Sequence, residues 1–516
     1  SQEGPVFQVG KRDGARYRLA EWLNDGRRLV AVSDESGEEM LEIHSFELGD
    51  APRKLDKVEF GRAVSIRVSP TADKIALTNH RQELIIVDLE SQEVIQVDRS
   101  PFRRMAGVDW SPDGHWLVYG HAVSPQTTAI RLYRLPNPDA EDETLRPGQT
   151  FTITQPILHD VQPAFDPEGK FIYFLGYRVF NPIYDGLHFD LGFPMGMRPY
   201  LITLQADQPN PFVPHPADLE EEEDDDEDED LDDEEADEDE EPEGDDHGDD
   251  DPAGDDGADD DGEDLIILHS RLGQLRDGES SDGGPGAGVP LGQHRAKDAD
   301  AKKEKTDKDR DKKKEKKQPK PLRIDLDGIA QRVLAFPVSE GRFGQIAGVP
   351  GKALFTVIPV QGELKDAHEG EENEPSGELE CWNFKEYKAE TLVHGIQWFD
   401  LSRNHKKMIY GSENRLRVIG AGEKAMPSSS KGRKSGWVDF GRIKVSVDAQ
   451  SEWEQMLREA WRLQRDQFWS EDMAQVDWQT VYTRYFPLIQ RVSSRGEFSD
   501  LMWEMQGELG TSHAYE

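Results

Sequence analysis

The sequence predicts a mainly β fold, a β-propeller followed by a small α-helical segment, and three observations carry that prediction. Polar turn strings recur along the chain, and each is followed by a short apolar strand. The first recurrences are spaced as propeller blades are. Beyond residue 436 the pattern changes to apolar positions at helical spacing.

The repeat consists of Trp22-Leu-Asn-Asp-Gly26, Val68-Ser-Pro70, Trp110-Ser-Pro-Asp-Gly114, Phe165-Asp-Pro-Glu-Gly169 and Phe399-Asp-Leu-Ser402. The strands that follow begin at Leu29, Ile75, Trp116, Phe171 and Met408. Steps between the first three strings are 46 and 42 residues, and the next is 55. Asp-Gly supplies a left-handed residue between two strands at little steric cost. Five clear blades follow from this pattern. A sixth, degraded one is predicted around residues 332–360, with strands at Val333-Leu-Ala-Phe336 and Ala353-Leu-Phe-Thr-Val357. A seventh would be shared with residues ahead of Ser1. The expectation is therefore six or seven blades, incomplete if the chain starts inside one; a β-sandwich with irregular hairpins is the minor alternative.

Blades are expected in residues 1–216 and 322–422, interrupted by an insertion at 217–321. The formal charge of -44 is concentrated in that insertion. Of the 48 residues 217–264, 34 are acidic, whereas residues 295–320 hold 13 basic and 7 acidic side chains. With a Gly-rich stretch between them, these tracts cannot bury enough apolar surface to offset chain entropy, so disorder is predicted. The bland reading is a tolerated surface insertion; a tether, a gate or an electrostatic bait for basic peptides are the functional ones. Five lysines between Lys312 and Lys317 could meet phosphates. Acids interrupt the run and no aromatics are interleaved for stacking, so nucleic-acid binding is not expected.

The single cysteine, Cys381, excludes an internal disulfide and suits a reducing, cytoplasmic compartment. No run of 18 apolar residues exists, so no membrane partner is expected. No signal peptide is visible, although the chain reads as starting inside a domain. His115, His121, His159 and Asp185 are candidate channel-rim residues, with simple solvation as the plain alternative.

Residues 423–436 read as a flexible basic linker, and 437–516 as a helical domain entered by an alternating strand, Val438-Asp-Phe440 with Ile443-Lys-Val-Ser-Val447. Three helices are predicted, with capping boxes at Ser451/Glu454 and Ser494/Glu497 and an Asp477 cap between them. Their apolar stripes include Trp453, Leu457, Trp461, Trp478, Val481, Tyr485, Leu488, Phe498, Leu501, Met505 and Leu509. Gly510 stands where a helix end favours a left-handed residue. Ser512 and His513 follow immediately.

No Gly-x-Ser-x-Gly, His-Glu-x-x-His or phosphate-binding loop occurs in these residues. Glu459-Ala-Trp-Arg462, Arg465-Asp466, Val476-Asp477-Trp478 and the closing Gly507-Glu-Leu-Gly-Thr-Ser-His513 together resemble the start of the catalytic core of tricorn-type serine peptidases. The resemblance implies that His513 is a general base and Ser512 an accessory hydroxyl beside it. It places the nucleophilic serine and an assisting glutamate beyond a PDZ-like domain, past the end of these residues, so this chain alone is expected to be inactive. It implies short peptides as substrates, a propeller that screens them, and a hexamer; neither cofactor nor metal is expected. The family carries a further propeller ahead of this one, and the charged insertion is no part of its pattern. The rival expectation is a non-catalytic propeller binding protein of the TolB type with a helical tail.

Overall fold

The computed structural model describes residues 8–9, 14–46, 51–137, 147–185, 190–192, 195–214, 321–360, 377–425 and 435–511. They form a mainly β, propeller-like ring of small antiparallel sheets followed by three helices. Blade one consists of Tyr17–Trp22, Arg28–Ser33, Met40–Ser45 and Arg53–Leu55, and blade two of Ala63–Val68, Lys74–Asn79, Glu83–Asp88 and Val94–Arg99. Blade three contains Ala106–Trp110, Trp116–Ser124, Thr127–Arg134 and Gln149–Thr152. Blade four contains His159–Phe165, Phe171–Tyr177, Met197–Thr203 and Val333–Ala335, and a single parallel bridge, Thr128 to His159, merges it with blade three into one sheet. Blade five is Arg342–Val349, Lys352–Ile358, Gly377–Asn383 and Lys388–Ile396. Blade six has three strands, Trp398–Leu401, Lys407–Ser412 and Arg415–Gly420, with Trp437 bridging Arg417 at its outer edge.

The structure overturns the degraded blade expected around residues 332–360. Val333–Ala335 and Lys352–Ile358 do not belong to one degraded blade. The former pairs with Met197–Thr203 as the last strand of blade four, and the latter is the second strand of blade five. The residues 215–320 therefore interrupt a single blade, between its third and fourth strands. Leu392 belongs to the outer strand of blade five, and the last blade begins at Trp398. The seventh blade has no sheet among the described residues.

The first strand of each blade touches the first strand of the next, which makes these strands the inner ring. Their exposed edges are satisfied by side chains from the preceding blade. Glu21 accepts from the Val68 amide at 2.8 Å, Asp109 from the Phe165 amide at 2.8 Å, and Gln345 from the Phe399 amide at 2.9 Å. Such satisfaction matters because an unpaired buried backbone group costs about 1–3 kcal/mol.

Two faces result from this meander. One, the start face, carries the beginnings of the first strands and the turns between second and third strands. The other, the turn face, carries the Asp-Gly turns. At Gly114 (φ +73°) an added Cβ would lie 2.1 Å from Thr71 Oγ1, so glycine is required by conformation and by space alike. Beside it Asp113 accepts from Ser111 Oγ at 2.5 Å and from the His115 amide at 3.1 Å, while its other oxygen accepts from the Leu322 amide at 2.6 Å. Leu322, just past the insertion, is thereby pinned to the turn face.

Apolar clusters fill the seams between successive blades, from Leu19, Ile66 and Ile85 between one and two to Leu354, Phe399 and Met408 between five and six. Blades six and one meet through Arg403, which donates to the Trp22 carbonyl at 2.5 Å. Cys381 is a buried free thiol in the cluster between blades five and six.

Helix α1 runs Ala449–Gln467, α2 Trp478–Tyr485 and α3 Arg495–Gly507. Asp448, not Ser451, caps α1 and accepts from the Ser451 amide, so that helix begins earlier than the predicted capping box. Asp477 accepts from the Thr480 amide at 3.0 Å, as the sequence predicts. Ser494 caps α3, and Glu497 turns back to accept from the Ser493 amide and hydroxyl, both at 2.8 Å. The three helices share a core of Leu457, Trp461, Trp478, Ile489, Phe498 and Met505. Leu488 is exposed and Ile489 takes its place, because α2 tightens into a 3-10 turn over Phe486–Arg491 and shifts the buried stripe. The alternating strand predicted at Ile443–Val447 has no ladder partner among the described residues, and Ile443, Val445 and Val447 lie exposed. Instead Phe440–Arg442 forms a 3-10 turn after the Trp437 bridge. No described helix is long and apolar enough to cross a membrane.

Candidate functional site

Helix α1 presents two stripes. Leu457 and Trp461 enter the helical core, while Gln455, Glu459 and Arg462, spaced by four and three residues, form a second buried stripe. That polar stripe is seated on the start face of blades one and two. Glu459 accepts from Arg16 Nη1 and Arg62 Nη1, both at 2.9 Å, and from Gln455 Nε2 at 2.7 Å. Arg16 precedes the first strand of blade one and Arg62 that of blade two, so one carboxylate ties two blades to a helix. Arg462 donates to Asp34 at 2.8 Å and to the Gly37 carbonyl at 2.5 Å, both in the second turn of blade one. Gln455 also donates to Asp34, at 2.9 Å. Farther out, Arg465 grips Glu38 with two bonds of 2.7 and 2.9 Å.

Electrostatics at the junction shift Glu459 and Glu39 in opposite directions. Burial works to raise Glu459, but Arg16, Arg62 and the Gln455 amide together outweigh it and hold the carboxyl at about 2. Glu39, which accepts from the Ala63 amide at 2.7 Å, is raised by burial despite Arg18 and Arg62. Arg18, 3.1 Å from Glu39, is lowered by the same burial. The chemistry here is that of a clamp: carboxylates matched to guanidinium groups, charged and anchored on both sides.

The clamp passes its orientation through the helical core. Trp461 Nε1 donates to the Trp478 carbonyl at 2.8 Å, and Trp478 Nε1 returns a bond to the Trp461 carbonyl at 2.9 Å. Tyr485, at the end of α2, donates to Glu508 at 2.8 Å, just past α3. Gly510 adopts the predicted left-handed conformation, φ +62°. Ser512 and His513 lie outside the described residues, one and two positions beyond Thr511.

The other sequence candidates do not converge. His115 lies on the turn face, next to Gly114. His121 is buried inside the second strand of blade three, its Nδ1 3.4 Å from Asp98, so it is no rim residue. His159 starts the first strand of blade four and Asp185 lies in a short hairpin strand, both on the start face. Sequence reasoning treated Glu459 and Arg462 only as parts of a recognisable string and missed the clamp. The polar stripe at 455, 459 and 462, flanking the apolar one, is the signal that could have revealed it.

A ring of antiparallel blades with a helical module clamped to one face defines a class, propellers that carry a second, docked domain. The family is narrower. Residues 1–248 match the tricorn protease second beta propeller domain, and residues 449–507 match the tricorn protease C1 domain. Tricorn protease homolog 1 of Streptomyces coelicolor is 29% identical over all of this chain and 40% of its own length. A tricorn protease homolog of Saccharolobus solfataricus is 26% identical over all of this chain and 37% of its own length. The crystal structure of the tricorn protease superposes with a TM-score of 0.65 at 18% identity, covering 97% of this chain and 38% of that one. The chain is a tricorn-type protease homologue, and it spans about two fifths of the length of the S. coelicolor relative.

Proposed function

We propose that this chain is the propeller and the first helical part of a cytoplasmic serine peptidase that cleaves short peptides. His513 is its general base and Ser512 an accessory hydroxyl. The observation that carries this reading is the clamp, because it joins the stretch matching the tricorn C1 domain to the face on which the inner strands begin. A peptide crossing the propeller from the turn face emerges beside α1, so the ring screens what reaches the helical domain. A serine hydroxyl becomes a useful nucleophile only when an adjacent imidazole takes its proton. In this reading the serine comes from a part of the protein outside these 516 residues, and the assembly is a hexamer. The carbonyl end of α3, three residues after which Gly510 turns the chain, carries partial negative charge that favours the imidazolium formed during attack.

Labelling with a fluorophosphonate probe tests the reaction type. The protein carried to the length of its relatives is expected to be labelled on one serine, and this chain alone is not. Labelling that persists undiminished in His513→Ala contradicts the assignment of the base.

A further inference from the structure

Among the described residues, the start face is covered on one side and exposed on the other. Over blades one and two it is covered by α1. Over blades three and four it exposes Phe102, Val123, Ile157, Leu158, Ile183 and Tyr184, with Ile157 54% and Tyr184 60% accessible. Topology puts all six on this face. Phe102 and the Ile157–Leu158 pair lie in connections leading into the first strands of blades three and four. Val123 lies near the end of the second strand of blade three. Ile183 and Tyr184 lie in a small hairpin strand between the second and third strands of blade four. The Thr128 amide donates to the Leu158 carbonyl at 2.8 Å, and the His159 and Tyr177 rings meet edge to face at 6.1 Å, so the segments from both blades are held together.

Scattered exposed apolar residues are ordinary, but a contiguous set beside an existing domain contact marks an interface. We propose that this patch is the second seat of the peptidase core. It would be covered by an apolar surface from the part of the same protein outside these residues, continuing the contact that α1 begins. Three observations favour that occupant. The patch shares a face with the clamp; the chain covers 40% of its S. coelicolor relative; and the helical module itself has unburied apolar groups, with Trp469 78% and Val447 63% exposed. The inference rests on the reading that a peptidase core continues beyond the helices.

Hydroxyl-radical footprinting of Tyr184 and Ile157 tests it, comparing this chain with the protein carried to the length of its relatives. Oxidation of both is expected to fall about tenfold in the longer protein, as for side chains moved from solvent into an interface core. Equal oxidation in the two overturns the proposal. So does protection that appears in this chain only as its concentration rises, which assigns the patch to a second copy, or only on adding peptide, which assigns it to substrate. An Ile157→Ser/Tyr184→Ser double variant should melt as this chain does but destabilise the longer protein; no difference between the two also overturns it. Absence of fluorophosphonate labelling, by contrast, defeats the peptidase reading and leaves the footprint to stand on its own.

Discussion

Between blades four and five, Phe336, Phe343, Phe355 and Trp382 fill the seam, the Phe343 and Phe355 rings meeting at 5.8 Å and those of Phe336 and Phe355 at 5.9 Å. Between blades one and two and α1 the buried groups are Glu459, Arg462, Gln455 and Asp34. Apolar packing is strong but nondirectional, and it suits blades that need only stay together. Matched ions add little net stability once desolvation is counted, yet they are intolerant of misplacement, because a lost partner leaves a buried charge. The blade seams thus supply cohesion, and the clamp fixes the angle and register at which the helical domain stands on the propeller.

Substitutions can separate the two materials. Phe355→Ala should cost about 3–5 kcal/mol, the usual range for a deleted buried ring, read as a lower urea midpoint for the propeller. A loss below about 1 kcal/mol would mean the seam collapses around the gap. Glu459→Ala leaves Arg16 and Arg62 facing each other across the junction and should cost about 3–5 kcal/mol locally. Hydrogen exchange should then speed up in α1 while the strands of blades four and five keep their protection. Exchange that rises evenly through the molecule would show that clamp and ring unfold as one.

Acid and base act on the two regions in opposite directions. Glu459 is held at about 2, below an unfolded value near 4.3, so its contribution is complete above about pH 4 and is lost as pH falls toward 2. Asp166, in the blade-four turn, is pushed up to about 6 by burial and Glu168, against the Lys170 amide and the Tyr173 hydroxyl that bind it. An acid raised on folding binds its proton more tightly in the folded state, so its region loses stability as pH rises from about 4 through 6. Melting temperature against pH, compared between the wild type and Asp166→Asn, should diverge across that window and differ most above about pH 6. The smallest effect is expected at the rim. Arg465→Ala removes a pair whose Glu38 side chain is 58% exposed, and should cost under about 1 kcal/mol by thermal melting.

The turns, the ring and two of the three helix caps were legible because their chemistry is local. Asp113 and Gly114 set their turn within a few residues, and Asp477 and Ser494 cap the helices that follow them. Strand membership across the insertion was not legible. Val333–Ala335 pairs with a strand that ends at Thr203, and nothing in either stretch encodes that partner. The clamp was hidden for the same reason, since Arg16, Asp34 and Arg62 come from segments about four hundred residues away from α1. Alternation at Ile443, Val445 and Val447 misled because β-branched residues fit a pleated surface only where a neighbouring strand supplies one. The two positions named for catalysis, Ser512 and His513, came from resemblance alone.

Peptide hydrolysis by the protein carried to the length of its relatives, with and without His513→Ala, bears most directly on the functional reading. If the imidazole is the general base, kcat/KM should fall by about a thousandfold or more while the melting temperature stays put. An undiminished kcat/KM in the variant would contradict the account.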